Sequence, residues 1–322
     1  MIFQPDSDIG SGSSWWVDSV PATVEIIEVG PRDGFQNLPD FIETEVKIRL
    51  IDALIDTGIG RMEVTSFVHP KAVPQMRDAS DVLRGIRRDG CQCFAMVPNV
   101  VGAERAVEAG ADMLNLIVSA SEAHNRSNVR RSVEASIAGF EEIFGLAEAE
   151  GVPVRASIAT SFGCPFEGDV PVQRVIDVGR QLIGLGCTEL NLCDTTGMAN
   201  PRQVAEVGRR VLDTFEGTQV VMHFHNTRGA GMANLLAALQ AGVGAFETSF
   251  GGLGGCPFAP GAAGNVSTED AAHMLHEMGI PTGIDLTRLL TVVRKAESAV
   301  HAPFTSHVLR AGECSELHPL PT

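Results

Sequence analysis

Seven times along this chain a stretch of helical spacing ends in a glycine, at Gly58, Gly90, Gly110, Gly151, Gly186, Gly217 and Gly242, and a short apolar run follows within a few residues. Glycine is the expected residue at such a point, because it enters the left-handed backbone region without steric cost and so closes a helix. The runs cover residues 62–66, 93–97, 113–118, 154–158, 189–193, 220–224 and 245–249, and residues 24–29 precede them as an eighth. Between the runs, apolar residues recur with a period near 3.6. In 46–55, for example, Ile48, Ile51 and Ile55 share one stripe, with Leu50 and Leu54 beside it. Strand, helix and glycine repeated in this way predict a single-domain α/β fold, a (β/α)8 TIM barrel, with a doubly wound open sheet as the alternative. The barrel is favoured by where the reactive side chains fall. Arg32 and Asp33 follow the first run, Glu63 and Ser66 lie on the second, and Asn99 follows the third; Asp194 and Thr195 follow the sixth, and His223 and His225 end the seventh. A barrel gathers such carboxyl-terminal positions at one mouth, whereas an open sheet spreads them along an edge.

The two histidines carry the most specific chemistry. In an extended strand, side chains at i and i+2 leave the same face roughly 6.5–7 Å apart, so His223 and His225 can reach one ion while Phe224 packs behind them. In Gly30-Pro-Arg-Asp-Gly-Phe-Gln36, glycines flank an arginine and a carboxylate in what reads as a tight turn. Arg32 can donate a forked pair of hydrogen bonds to an oxyanion, and Asp33 offers a hard oxygen to a divalent metal. A plain loop salt bridge is the alternative, and the His-x-His strand favours the functional reading. Residues 251–265 are too rich in glycine for a regular element. They read as a mobile lid that carries Cys256 over the mouth, with Asn265 supplying an amide oxygen to the same ion. A phosphate-cradling turn is the other reading, but the lysine and hydroxyl of a phosphate loop are missing.

Composition narrows the partners. The formal charge of −16 and a pI near 4.9 argue against nucleic acid, whose phosphates call for a basic surface. No uncharged apolar stretch reaches the roughly 18 residues needed to span a bilayer, so no membrane role is expected. Residues 1–22, with Trp15 and Trp16, read as an N-terminal extension without a basic start or apolar segment, ahead of a catalytic barrel over 23–322. Seven cysteines, an odd number without disulfide-like spacing, point to free thiols in a reducing, cytoplasmic setting. Cys91 and Cys93 read as core residues, His273 and His276 as a solvated helix face, and His69 as a residue that could line the mouth.

From about Val24 to Arg310 the chain resembles the 3-hydroxy-3-methylglutaryl-CoA lyases, within the wider group of metal-dependent barrel lyases and condensing synthases. The likeness runs through Glu28-Val-Gly-Pro-Arg-Asp-Gly-Phe-Gln-Asn37, Glu63-Val-Thr-Ser-Phe-Val68, Val73-Pro-Gln-Met76, Asp194-Thr195, His223-Phe-His225, Gly252-Leu-Gly-Gly-Cys-Pro257 and Gly264-Asn265. The resemblance implies Asp33, His223, His225 and Asn265 as ligands of Mg²⁺ or Mn²⁺, and Arg32 and Cys256 as catalytic groups supported by Glu63. Gln36, Ser66, Asp194 and Thr195 are then expected to contact the substrate, an acyl-CoA thioester, in a homodimeric enzyme. The implied reaction breaks a carbon–carbon bond to release acetyl-CoA and an oxo-acid, with the first proton acceptor open among His223, Asp33 and Cys256.

Some residues depart from the family pattern. Leu38-Pro39 stand where the family has an acid and a lysine near the CoA phosphates, Asn226 replaces an aspartate, and Arg228 stands at a common tyrosine position; 119–128 lacks the customary aromatic and lysine pair. These departures leave citramalyl-CoA or a longer-branched glutaryl-CoA as alternative substrates. A condensing acyl-CoA synthase, a non-catalytic CoA-binding barrel and an aldolase acting on free oxo-acids are the competing functions.

Overall fold

The computed structural model describes residues 20–255 and 264–317. Trp15, Trp16 and most of the expected N-terminal extension lie outside them, as does Cys256 with the centre of the expected lid. Eight parallel strands, β1 (Glu25–Glu28), β2 (Arg61–Ser66), β3 (Gln92–Met96), β4 (Leu114–Ser119), β5 (Val154–Ala159), β6 (Glu189–Asp194), β7 (Gln219–Phe224) and β8 (Ala245–Thr248), pair in chain order. The barrel closes where Glu25–Glu28 run beside Ala245–Thr248. The TIM barrel is therefore the fold, and the open sheet is excluded.

All seven glycines read as helix closers have positive φ, between 69° and 105°. Gly58 is the tightest of them: a Cβ there would lie 2.3 Å from the Gly283 carbonyl oxygen, so both conformation and space call for glycine. The helix over 46–55 is Thr44–Ile55, which buries Leu50, Ile51, Leu54 and Ile55 as its periodicity requires. The β4–β5 crossover is more elaborate than one helix, with three helical pieces at Glu122–Val129, Val133–Ala138 and Glu141–Glu150.

Each strand sorts its residues by alternation. Val154, Ala156 and Ile158 join the large core between sheet and helices, as do Leu190, Leu192, Met222, Phe224 and Phe246. The intervening residues face inward. Only a small apolar cluster of Ile27, Val29, Phe94, Met113, Val221 and Ala245 fills that interior, and the rest of it is polar, much of it ionic. Arg155, fully buried, reaches Glu247 at 2.8 Å and Glu189 at 2.7 Å; Arg61 reaches Glu189 at 2.8 Å and Glu25 at 2.9 Å. A barrel of this kind ordinarily fills the same layers with branched apolar side chains.

Two buried carboxylates brace the end of β8. Glu28 accepts from the backbone N–H of Gly30 at 2.7 Å and of Phe250 at 3.0 Å, and from Thr268 Oγ1 at 2.6 Å. Glu269 accepts the Gly251 N–H on both oxygens, at 2.9 and 3.0 Å. Burial pushes Glu28 up to about 7 and Glu269 up to about 8. Between the ordinary carboxylate range and those values, the folded protein holds protons that the unfolded chain has released, so stability falls as pH rises through that window. Glu269→Gln carries no such proton. Its melting temperature, measured from pH 5 to pH 8, should decline less with pH than that of the parent; parallel curves would mean that Glu269 is ionised throughout.

Candidate active site

Strand order brings the sequence-distant residues together at the carboxyl ends of the strands. Residues Gly30–Gly34 leave β1 as a wholly buried five-residue π-helical turn rather than the tight turn read from sequence. In it, the Arg32 and Asp33 N–H groups donate to Val29 O at 3.1 and 2.7 Å, which turns both side chains into the mouth. His223 and His225 lie on β7 and just past it, with ring centroids 5.0 Å apart. The chain returns beside them through a bridge pairing His225 with Asn265.

Asp33, His223 and His225 are all buried, and each offers a ligand atom within 4.8 Å of the others. Among the described residues this is the one such cluster. Asp33 Oδ1 accepts from Arg32 Nη1 and Gln36 Nε2, each at 2.7 Å, and Oδ2 accepts from Asn265 Nδ2 at 2.7 Å. Burial alone would raise its carboxyl, but Arg32 and the two imidazoles outweigh that and hold it below the usual carboxylate range. Gly254, at φ 104°, packs so closely that a Cβ would lie 2.6 Å from Asn265 Nδ2 and 3.2 Å from Asp33 Oδ2.

The donors fit a divalent cation on three counts. His223 Nδ1 is held by Glu247 Oε2 at 2.9 Å, which frees Nε2 and fixes the ring, the arrangement seen behind metal-bound imidazoles. Two buried atoms, His225 Nδ1 and Asn265 Oδ1, have no hydrogen-bond partner, a cost that a bound cation removes. Burial drives His225 down to about 4, so it is a neutral imidazole able to ligate at neutral pH. One carboxylate, one amide and two imidazoles make a hard to borderline donor set.

Arg32 is anchored from behind. Its Nε donates to Glu63 Oε2 and its Nη1 to Asp33, leaving Nη2 for an incoming oxygen. Glu63 lies on β2, fully buried behind the guanidinium. Burial would lower the guanidinium's pKa, but Glu63 and Asp33 more than compensate, so it stays charged. Ser66 and Asp194 also reach the mouth ends of their strands. The Ser66 hydroxyl and Asp194 Oδ2 are buried without partners, while Asp194 Oδ1 accepts from the Met198 and Ala199 N–H groups at 2.8 and 3.1 Å. Burial pushes Asp194 up to about 6. Thr195, by contrast, uses its hydroxyl to accept from Thr160 N at 2.9 Å, tying two loops together. Cys256 falls outside the described residues.

Other sequence readings resolve individually. Cys91 and Cys93 are core residues. His69 is exposed and accepts from the Lys71 N–H at 3.1 Å, and it is not one of the clustered ligand residues. His273 and His276 are half-buried rather than solvated, with partners Cys314 at 3.2 Å and Thr282 at 2.8 Å. Sequence reasoning missed Glu247 and Arg155. The available signal was a charge at an inward-parity position inside an otherwise apolar strand.

A buried carboxylate, two imidazoles and an amide gather at the mouth of a (β/α)8 barrel, with a braced arginine beside them, a donor set of the kind that could hold a divalent cation in a barrel lyase. Residues 23–295 match the HMGL-like family. The hydroxymethylglutaryl-CoA lyase YngG of Bacillus subtilis is 45% identical over 296 residues, covering 92% of this chain and 99% of that protein. The 3-hydroxy-3-methylglutaryl-CoA lyase, cytoplasmic, of Danio rerio is 45% identical over 272 residues, 84% of this chain and 81% of that protein. Among solved structures, an HMG-CoA lyase from Acinetobacter baumannii in complex with coenzyme A and 3-methylmalate superposes with a TM-score of 0.90, at 44% identity over 93% of this chain and 98% of that one. The chain belongs to the HMGL-like family, among its hydroxymethylglutaryl-CoA lyases.

If Glu247 holds the His223 ring for ligation, Glu247→Gln should weaken Mn²⁺ binding to the substrate-free protein by about 10- to 100-fold in calorimetry. An unchanged affinity would separate Glu247 from the site.

Proposed function

We propose that this protein is a carbon–carbon lyase that cleaves 3-hydroxy-3-methylglutaryl-CoA to acetyl-CoA and acetoacetate. The observation that carries the reading is the convergence of Asp33, His223 and His225 within 4.8 Å beside Arg32. Support comes from relatives at 45% identity that bear this lyase's name, and from a neighbour that holds coenzyme A together with a hydroxy-diacid. A divalent cation, Mg²⁺ or Mn²⁺, held by Asp33, His223, His225 and Asn265, would supply Lewis-acid polarisation of the substrate's hydroxyl and carboxylate oxygens.

The chain's own groups do the rest. Asp194 is the side chain best poised to take the hydroxyl proton, since Oδ2 is buried, unpartnered and raised to about 6, close to working pH. His223, which donates to Glu247, and Asp33, which accepts three hydrogen bonds, are both committed elsewhere. As the carbon–carbon bond breaks, negative charge moves onto the thioester oxygen, where Arg32 Nη2 can meet it. The guanidinium is already in place, with Glu63 and Asp33 fixing two of its nitrogens, so little reorganisation accompanies that charge. Cys256 is assigned to protonate the resulting carbanion, and Gln36, Ser66 and Thr195 to line the substrate pocket.

No helix among the described residues is long and apolar enough to cross a membrane. Six described cysteines are free thiols, which suits a reducing cytoplasm. We assign the enzyme there, as a homodimer.

Cleavage is tested by acetyl-CoA release from 3-hydroxy-3-methylglutaryl-CoA with Mn²⁺ present. Arg32→Met should lower kcat by about 10²–10³-fold, and His225→Ala should abolish turnover; full activity in either overturns the assignment. The acid limb of kcat/KM should fall at or somewhat below pH 6, because a protonated Asp194 cannot accept the proton and a bound cation pulls its carboxyl down. In Asp194→Asn, turnover should collapse at every pH, and a retained acid limb would assign the base elsewhere.

A further inference from the structure

A hydrogen-bonded belt runs around the inner wall of the barrel, and the reaction as described makes no use of its uncharged members. From the Arg32 side, Glu63 on β2 accepts from Asn115 Nδ2 on β4 at 2.6 Å. Asn115 Oδ1 accepts from Ser157 Oγ on β5 at 3.1 Å, and Ser157 Oγ accepts from Asn191 Nδ2 on β6 at 3.0 Å. The same Asn191 nitrogen donates to Glu247 Oε2 on β8 at 2.9 Å, the oxygen that also holds His223 Nδ1. The belt thus joins the anchor of Arg32 to the anchor of His223 through three uncharged side chains.

Those three are deeply buried, with exposures of 0% for Asn115, 4% for Ser157 and 0% for Asn191. They occupy a layer that branched apolar residues fill in barrels generally, and burying amides and a hydroxyl there is costly even when they are paired. Asn191 is the revealing member. Its amide nitrogen reaches both Ser157 and Glu247, while its own Oδ1 is buried without a partner, so the residue is held by what it donates. Glu247 is thus hydrogen-bonded at Oε2 by Asn191 and His223, while Oε1 is ion-paired with Arg155 at 2.8 Å without a hydrogen-bond partner of its own. Hydrogen-bonded networks of this kind restrict orientation more tightly than apolar packing of the same volume.

We propose that Asn191 and Ser157 are positioning residues, which hold the Glu247 carboxylate and the His223 ring in register with the Arg32 guanidinium. The proposal rests on the lyase reading, and deepens it by assigning residues at the barrel wall that act through others. Asn191→Ala removes the hold on Glu247. In the full-length protein it should weaken Mn²⁺ affinity, measured by calorimetry without substrate, by about tenfold. It should also lower kcat about tenfold or more at saturating Mn²⁺, with KM within about twofold. Ser157→Ala cuts the belt one step away from Glu247, so its kcat should fall while Mn²⁺ affinity stays within about twofold. Ser157→Thr keeps the hydroxyl and should restore kcat. Melting temperatures of all three identify any variant that has simply lost its fold; the Thr rescue separates orientation from bulk packing.

The proposal is overturned if Asn191→Ala keeps both its Mn²⁺ affinity and its kcat, or if Ser157→Thr is as impaired as Ser157→Ala. Should the parent protein release no acetyl-CoA, the lyase reading fails, yet the Mn²⁺ affinity of Asn191→Ala still decides whether Asn191 positions the site.

Discussion

The carboxylate of Glu247 joins the interior of this barrel to its chemistry. One oxygen is ion-paired with the Arg155 guanidinium at 2.8 Å and the other accepts from His223 Nδ1 at 2.9 Å, and the residue is 3% exposed. Burial would push such a carboxyl upward, but Arg155 and His223 outweigh that and hold it well below the carboxylate range, so it stays charged. Removing one partner from a buried ion pair strands the other, at about 3–5 kcal/mol. The chain of charges from His223 through Glu247, Arg155, Glu189 and Arg61 to Glu25 is therefore strongly interdependent. It lets a small protein interior carry a polar, oriented wall directly beneath the ligand cluster.

Much of this was legible from residue spacing. Alternation in β7 places His223 and His225 on one face, and the recurring glycines mark the helix ends that return the chain to each new strand. The pairing of Asp33 with Asn265, 232 residues apart, follows once eight strands close into a ring. What stayed hidden depends on that closure. Arg155, Glu189 and Glu247 sit singly among apolar residues, and nothing local says that three charges on different strands will meet and neutralise one another. The π-helical turn at Gly30–Gly34 was equally out of reach, because Pro31 and two glycines fit a tight turn as well. The three-part β4–β5 crossover was missed for a different reason. Its helices at Glu122–Val129 and Val133–Ala138 are too short for apolar periodicity to stand out.

The departures from the family pattern serve the scaffold around the site. Arg228 donates to the carbonyls of Thr196 and Gly197, both at 2.9 Å, clamping the loop that follows Asp194. Asn226 accepts from the Gly231 N–H at 3.0 Å at the start of the next helix. Leu38 is buried, and its carbonyl takes the Gln75 amide. None of these contacts engages a side chain of Asp33, His223, His225 or Asn265.

The most direct measurement is an anomalous difference map from a crystal of the protein grown with Mn²⁺. The account predicts one strong peak about 2.0–2.3 Å from a carboxylate oxygen of Asp33, an imidazole nitrogen of each of His223 and His225, and the amide oxygen of Asn265. A map with no peak among those four residues, or with the ion bound elsewhere in the mouth, would contradict it.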